Sequence, residues 1–461
     1  MIKRLIVILG GGESGVGAAL LAKKNGFKIF VSDSGIIKNR YKKILKTKKI
    51  PFEEKGHSEE FIVKNAKNIV KSPGISSKIP LIKKINSFKI PILSELEFGK
   101  KFIKKNSYII TITGSNGKTT TSTIIYKILK QDRKLSVGLA GNIGYSFSKE
   151  VLKKKKIYVL EVSSFQLDDC CNFRSNIAII LNIARDHLNR YNNFDSYIYS
   201  KFRVAMYQRE KDIFIYNYDD PFIRNGLKKY FIKSKRIPFS LKKKLNFGAY
   251  IKDNKIYIRN IKNEIVFCLC IKNISIEGDH NLYNIMASLI VSNIFDVQKK
   301  YIKTVLFKLK PIPHRMEKFF HTNGIQFIND SKSTNVHSAF YALHSIKKTI
   351  PIIWIVGGKD KGNDYNELVS LVHSKVKTII CLGKNNKKVF NFFKKTVDII
   401  LETKKMKEAV IMAYVFSFPG DCILLSPACS SFDLFKNYKE RGDKFKLEVK
   451  KVFHDKNIYF S

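Results

Sequence analysis

Tyr108-Ile109-Ile110-Thr111-Ile112-Thr113, followed by Gly114-Ser115-Asn116-Gly117-Lys118-Thr119-Thr120, decides how this chain is read. The β-branched apolar run predicts a buried strand, the glycines predict a loop, and the pattern from Lys118 to about Leu129 predicts a helix. A strand, a glycine loop and a helix in that order let backbone N–H groups cradle phosphate at the helix N-terminus. Gly117-Lys118-Thr119 is the core of such a loop. Lys118 would neutralise β/γ-phosphate charge, and the Thr119 hydroxyl would reach Mg²⁺. The spacing is shorter than the usual P-loop, because the position six before Lys118 is Ile112 and not glycine.

Toward the N-terminus, residues 3–9 read as a strand, 16–25 as a helix and 28–32 as a second strand, a βαβ start that implies a parallel, doubly wound sheet. Between them Gly10-Gly11-Gly12-Glu13-Ser14-Gly15 fits G-x-G-x-x-G, and Asp33 stands where a ribose-binding acid would be. By pattern alone this is a dinucleotide site, a site for another nucleotide diphosphate, or a structural turn. Pro91 and the helical stretch after Ser94 mark the exit from this unit.

Toward the C-terminus, strands are expected at 157–162 and 177–182. Glu161 ends the first, where a carboxylate suits a hard cation, and Asp186-His187 follows the second. Residues 237–271 are short β segments with a turn signal at Asp253-Asn254, so an antiparallel meander is expected, then a helix over 281–295. Pro311-Ile312-Pro313 reads as a linker. Beyond it, a third α/β alternation has strands at 325–329, 350–356, 376–382 and 422–425. The 461 residues, at roughly 150 per domain, divide as 1–97, 98–311 and 312–461. The expected fold is α/β in three domains: an N-terminal Rossmann-like sheet, a central P-loop ATPase domain with an added β meander, and a C-terminal Rossmann-like domain.

The formal net charge of +47 invites a nucleic-acid partner. The lysines are spread along the chain, however, with runs at 153–156 and 242–244 expected as solvated loops. The excess of Lys, Ile, Asn, Phe and Tyr tracks A/T-rich codons. No apolar run approaches the roughly 18–20 residues of a membrane span. The apolar stretch after Arg4 stops at Gly10, too short for a signal-peptide core. Seven cysteines without a C-x-x-C pair argue against a disulfide framework or structural zinc and for a reducing cytoplasm.

Further strings run in order along the chain: Gly141-Asn142-Ile143-Gly144, Ser163-Ser164-Phe165-Gln166-Leu167, Gly278-Asp279-His280-Asn281 with Asn284, Pro313-His314-Arg315-Met316-Glu317, Asn329-Asp330-Ser331-Lys332-Ser333-Thr334-Asn335, Gly357-Gly358-Lys359-Asp360-Lys361 and Ser426-Pro427-Ala428-Cys429-Ser430-Ser431-Phe432-Asp433. Together with the two glycine loops and Asp186-His187, they make the chain resemble the Mur ligases, the ATP-dependent amide-forming enzymes of peptidoglycan synthesis, nearly end to end. Within the family, Ser163–Leu167 and 426–431 resemble the member that adds D-glutamate. The Asp-Asn-Pro-Arg string of the diaminopimelate or lysine adder is absent, and Asn116 stands where the L-alanine adder has histidine. Two positions depart from the family pattern: Ala184 replaces the usual Thr, and Asn189 the usual Asp.

The resemblance implies a cytoplasmic, monomeric ligase that joins D-glutamate to UDP-N-acetylmuramoyl-L-alanine through an acyl phosphate, with no specific nucleic acid and no membrane. It places UDP, not NAD, on Ser14, Gly15, Asp33, Ser34, Ser72 and Gly74. ATP falls to Gly114, Ser115, Asn116, Gly117, Lys118, Thr119, Thr120, Asn142, Asn281, Asn284, Arg315 and Asp330. Thr119 and Glu161 would hold one Mg²⁺. A second would lie near His187 and Lys201, the latter as a carbamate; by its residues alone Lys201 reads rather as one more surface lysine among many. Lys332 would sit near the phosphate and acyl group, and Thr334, Lys361, Ser431 and Phe432 would surround D-glutamate. Two other classes compete on the residues. An NAD-dependent oxidoreductase leaves Gly117-Lys118-Thr119 unexplained, and a basic nucleic-acid-binding ATPase leaves Asp33 and the third domain unexplained.

Overall fold

The computed structural model describes residues 5–186, 190–276, 278–309 and 312–454. Its strands form three sheets. The first contains β1 (Leu5–Leu9), β2 (Lys28–Ser32), β3 (Phe52–Glu53), β4 (Ala66–Lys71) and β5 (Ile92–Ser94), ordered β3-β2-β1-β4-β5 and parallel throughout. Order reverses beside β1, so the loops leaving β1 and β4 open the crevice in which doubly wound sheets bind ligands. The Ser72 N–H bonds the Leu9 carbonyl (3.0 Å), which ties those two loops together.

The second sheet has nine strands: β6 (Tyr108–Thr113), β7 (Val137–Gly141), β8 (Ile157–Glu161), β9 (Ile177–Ile180), β10 (Ile213–Asn217), β11 (Lys235–Ser240), β12 (Gly248–Lys252), β13 (Lys255–Arg259) and β14 (Ile265–Cys270). Their order is β14-β13-β12-β11-β10-β9-β6-β8-β7. β6 lies between β8 and β9, so the phosphate-type loop, Glu161 and Asn182 all leave neighbouring strands at the same sheet edge. The expected meander is antiparallel from β12 to β14, turning at Asp253 and Asn254, whose φ values of 47° and 54° suit a hairpin of mirror-image type. Its first part corrects the expectation, because β11 is parallel to both β10 and β12 and extends the central sheet. Gly248 (φ 98°) makes this possible: a Cβ there would stand 2.0 Å from the Pro238 carbonyl oxygen, so only glycine lets the chain return so close to β11.

The third sheet contains β15 (Glu317–Thr322), β16 (Ile325–Asn329), β17 (Ile352–Gly357), β18 (Val376–Leu382), β19 (Ile399–Thr403) and β20 (Cys422–Ala428), ordered β15-β16-β20-β17-β18-β19. All pairs are parallel except the β15–β16 hairpin. Apolar side chains fill both faces, with Trp354 in one layer and Phe327, Ile355 and Phe445 in the other. This double-sided burial is why the central strands read as continuous apolar runs.

Compactness divides the chain into two units. One holds the first two sheets, and the other holds the third sheet with residues 184–194 and 275–281. Within the first unit the two sheets are joined by polar contacts. The Glu13 carboxylate accepts from Lys149 Nζ (2.9 Å) and Tyr41 Oη (3.1 Å), and buried Glu95 accepts from Ser146 Oγ (2.7 Å) and the Ser148 N–H (2.6 Å). Lysines 153, 154 and 156 and 242–244 are exposed, as solvated loops should be. No helix among the described residues is long and apolar enough to cross a membrane.

Candidate active site

The first unit brings together the residues expected to handle phosphates. Gly114 (φ 153°) and Gly117 (φ 84°) bend the loop between β6 and the helix Lys118–Gln131 into backbone space that side chains avoid. A Cβ on Gly117 would lie 2.3 Å from Asn284 Oδ1. That same oxygen accepts from Thr121 Oγ1 (3.1 Å), so Asn284 braces the loop from outside. Asn182 braces it from β9: its carbonyl and Oδ1 accept the Ser115 and Asn116 N–H groups at 3.0 and 2.8 Å. Lys118 Nζ folds over the loop and donates to the carbonyls of Gly114 (2.5 Å) and Ser115 (2.9 Å). Thr119 and Thr120 open the helix beside it.

Glu161 ends β8 and is buried. Its Oε1 accepts from Asn142 Nδ2 (2.9 Å), while its Oε2 is buried without a hydrogen-bond partner among the described residues. A buried carboxylate oxygen left unpaired is costly, and a hard cation would satisfy it. The residues present therefore fit Mg²⁺ at this carboxylate. Asn142, expected at ATP, donates to that carboxylate.

Lys201 is not a surface lysine. It is 1% exposed, on the helix Phe194–Met206, with Nζ 4.4 Å from the Tyr197 ring centroid. Tyr197 Oη is 3.0 Å from Ser115 Oγ in the phosphate-type loop. One residue before Lys201, Ser200 Oγ donates to the Ser164 carbonyl (2.9 Å), in the turn that follows Glu161. The helix thus carries Lys201 between the two loops that hold Lys118 and Glu161. Tyr197 was not among the sequence-predicted residues, although it lies one helical turn before Lys201.

In the first sheet, the Asp33 carboxylate accepts the Gly11 N–H (2.6 Å) and the Gly35 N–H (2.8 Å), which fixes the glycine loop against β2. Gly15 packs so closely that a Cβ would lie 1.8 Å from the Gly10 carbonyl oxygen. Ser72 Oγ is buried and has no hydrogen-bond partner among the described residues, Ser14 is half-buried, and Ser34 and Gly74 are exposed at the same edge. Gly15→Ala is expected to strain this turn by about 1–3 kcal/mol. Thermal unfolding should show a lower transition. An unchanged transition would mean the turn tolerates the methyl group.

The second unit gathers the remaining candidates at the carboxyl edge of its own sheet. Asp330, after β16, accepts from Ser426 Oγ (2.9 Å) and the Met316 N–H (3.2 Å). Burial pushes its carboxyl up to about 7, against the pull of those bonds and of Arg315. Arg441, buried on the helix Tyr438–His454, clamps the next turn: Nε and Nη2 donate to Ser331 Oγ (3.0 Å) and Ser331 O (2.8 Å), and Nη1 to Cys429 O (3.1 Å). Lys332 Nζ stands 5.2 Å from the Tyr438 ring centroid, and Thr334 is half-buried beside it in the chain. The loops after β17 and β20 are joined by Lys359 N–H to Ser430 O (2.8 Å), which brings Lys361 and Ser431 onto adjoining segments. Ser431 is buried and Phe432 is 68% exposed. Lys361 Nζ pairs with Asp186 Oδ1 (3.2 Å), whose other oxygen accepts from Asn335 Nδ2 (3.0 Å). Asn281 belongs to this unit. His187 and Asn189 lie outside the described residues.

Because its acid is raised by burial, Asp330 favours the unfolded state as pH rises. Between an unfolded value of about 3.9 and the folded value of about 7, the native form holds the extra proton. The penalty is absent below that window and complete above it. Asp330→Asn should therefore flatten the loss of denaturation free energy between pH 4 and 7, as read from urea titrations at several pH values. An unchanged slope would place the titration on another group.

Family models match three successive parts of the chain. Residues 5–80 match the MurD N-terminal domain, 112–292 the Mur ligase middle domain, and 314–429 the Mur ligase glutamate ligase domain. UDP-N-acetylmuramoylalanine–D-glutamate ligase of Christiangramia forsetii is 45% identical over 97% of this chain and 99% of its own length. The enzymes of that name from Bacteroides thetaiotaomicron (44%, 97% and 99%) and Porphyromonas gingivalis (43%, 97% and 99%) are similarly close. In fold, the chain is similar to a pseudomurein peptide ligase type C from Methanothermus fervidus, with a TM-score of 0.63 at 20% identity over 98% of this chain and 100% of that one. It is also similar to UDP-N-acetylmuramate–alanine ligase from Thermotoga maritima, with a TM-score of 0.62 at 17% identity over 97% and 99%. Three domain matches in order and full-length identity above 40% leave one placement: the chain belongs to the Mur ligase family, among its UDP-N-acetylmuramoylalanine–D-glutamate ligases.

Proposed function

We propose that this protein joins D-glutamate to UDP-N-acetylmuramoyl-L-alanine at the expense of ATP, in the cytoplasmic synthesis of peptidoglycan precursors. The observation that carries the reading is full-length identity of 43–45% to ligases of that name. The phosphate-type loop, the buried Glu161 oxygen without a partner among the described residues, and buried Lys201 support the reading. Phosphate release that requires ATP, the UDP-sugar alanine substrate and D-glutamate together tests it.

A carboxylate does not acylate an amine in water, because its oxygen is a poor leaving group. Transfer of the γ-phosphoryl group of ATP to a carboxylate oxygen of the alanine residue expels ADP and makes that oxygen a good leaving group. The D-glutamate amine then attacks the carbonyl carbon, loses a proton and expels inorganic phosphate. Two anions must meet in the first step, so positive charge is the main requirement. Lys118 supplies it by leaving the loop carbonyls it now engages and turning to the phosphates. The backbone of residues 114–117 and the hydroxyls of Thr119 and Thr120 take the remaining oxygens, with Asn284 holding the loop in shape. Thr119 and Glu161 would hold one Mg²⁺, and Lys201, as a carbamate, would hold a second with His187. Bound there, the ions would neutralise phosphate and acyl oxygens. Asn142 keeps the Glu161 carboxylate aimed for that task.

In the first sheet, Ser14, Gly15, Ser34, Ser72 and Gly74 bind the UDP portion, and Asp33 keeps the glycine loop in place. In the second unit, Arg315, Asp330 and Asn281 serve the nucleotide and Lys332 the acyl phosphate. Lys361, Thr334, Ser431 and Phe432 receive D-glutamate, whose two carboxylates require a cation and several donors. The enzyme acts as a monomer, divided for function at about residues 97 and 311. The dispersed lysines give salt-sensitive adhesion to polyanions and no specific nucleic-acid recognition.

A further inference from the structure

The second unit contains a cavity of about 770 Å³ that none of these residues uses. It lies between the helices Met406–Val415 and Tyr438–His454, closed at one side by residues 434–435. Its floor is largely apolar, with Met406, Ile411, Val415, Leu434, Phe435 and Val452 beside the ring of Tyr414. Val415 is 57% exposed, so apolar surface is left open to solvent on the helix. The rim is cationic, formed by Lys404, Lys405, Lys407, Lys444 and Lys451. Glu448 is the one acid in the lining, and Lys444 neutralises it at 2.8 Å. Lys405 is shared with Glu408 (2.9 Å), while Lys404 and Lys451 form no ion pair among the described residues.

We propose that this groove binds a single-chain anionic amphiphile, a linear hydrocarbon tail with a carboxylate head. The volume falls within the roughly 300–1,000 Å³ of small-molecule pockets. A concave apolar floor buries a chain, whereas a flat bilayer surface would meet only the rim. The excess of ammonium groups at the mouth selects a negative head, and the apolar side chains of the floor select hydrocarbon below it. Two of the walls, Leu434 and Phe435, follow Ser431 and Phe432 in the same turn, and the Phe435 N–H bonds the Ser431 carbonyl (2.9 Å).

Isothermal titration of the intact protein with decanoate, below its micellar range, tests the site. One saturable site is expected, tightening by up to about fourfold per methylene from octanoate to decanoate. Decyltrimethylammonium, with the same tail and opposite charge, should bind at least tenfold more weakly. The exposed double substitution Lys404→Glu with Lys451→Glu should weaken decanoate at least tenfold, and Val415→Asp should do the same from the floor. Circular dichroism and thermal unfolding of each variant establish that it is folded. Uptake of many equivalents unaffected by these substitutions, or equal affinity for the cationic amphiphile, would show general adhesion to a lysine-rich surface and overturn the proposal. No detectable binding of decanoate would overturn it as well. None of these readouts depends on which amino acid the enzyme adds.

Discussion

Replacing Lys118 by alanine is expected to abolish measurable ligation, with a loss of at least about 10²–10³-fold in kcat. The side chain already spans the phosphate-type loop, bonded to two of its carbonyls, so its ammonium is held at the mouth of the phosphate cradle. Removing it leaves a loop of correct shape with no positive charge against the transferring phosphoryl group. Lys118→Arg should recover little, because a planar fork does not replace a compact point charge at this distance. Steady-state phosphate release gives the rate, and thermal unfolding establishes that the loop still folds. Near-normal turnover of Lys118→Ala would remove the loop from the mechanism.

Lys201→Ala should cost a comparable factor for the opposite electrostatic reason. A free ammonium beside a metal would be repelled by it, so an unmodified lysine makes no sense as a ligand. Reaction of the neutral amine with CO₂ forms an N–C bond, releases a proton and yields an anion. Lys201 is 1% exposed, with Nζ against the Tyr197 ring. Acetate or formate at millimolar concentration should therefore restore part of the activity of Lys201→Ala by occupying the vacated space as an anion. The same salts should do nothing for Lys118→Ala, whose missing charge is positive. Mass spectrometry of the native protein under CO₂-replete conditions should show the added mass at Lys201. A bare lysine together with active Lys201→Ala would rule the carbamate out.

The contrast between these two lysines shows what a sequence reveals. Lys118 was legible because its whole environment is local: strand, glycine loop and helix lie within about two dozen residues, and backbone geometry alone makes the site. Lys201 was not, since in a chain carrying 85 basic residues nothing local separates a buried lysine from an exposed one. Its burial comes from Tyr197 and Ser200 reaching loops some 36 to 82 residues away. The Asp186–Lys361 pair spans 175 positions, and Arg441 clamps Ser331 across 110; neither carries a short-range signal. Strands followed the same rule. β6, β16 and β18 begin and end where their apolar runs do, because they are buried on both faces. The edge strand β15, Glu317–Thr322, is half-exposed and charged, and its pattern does not separate from a loop. Direction was harder still: β11 joins the central sheet in parallel because Gly248 admits a close return, a tertiary fact that composition does not encode.

The central claim is the amino acid added, and phosphate release from ATP tests it most directly. The purified enzyme, given UDP-N-acetylmuramoyl-L-alanine and Mg²⁺, should release phosphate with D-glutamate and stay near background with L-glutamate, L-alanine, L-lysine or diaminopimelate. The product should gain the mass of one glutamate residue. Equal turnover with any of the other four, or release that proceeds without an amino acid, would contradict the account.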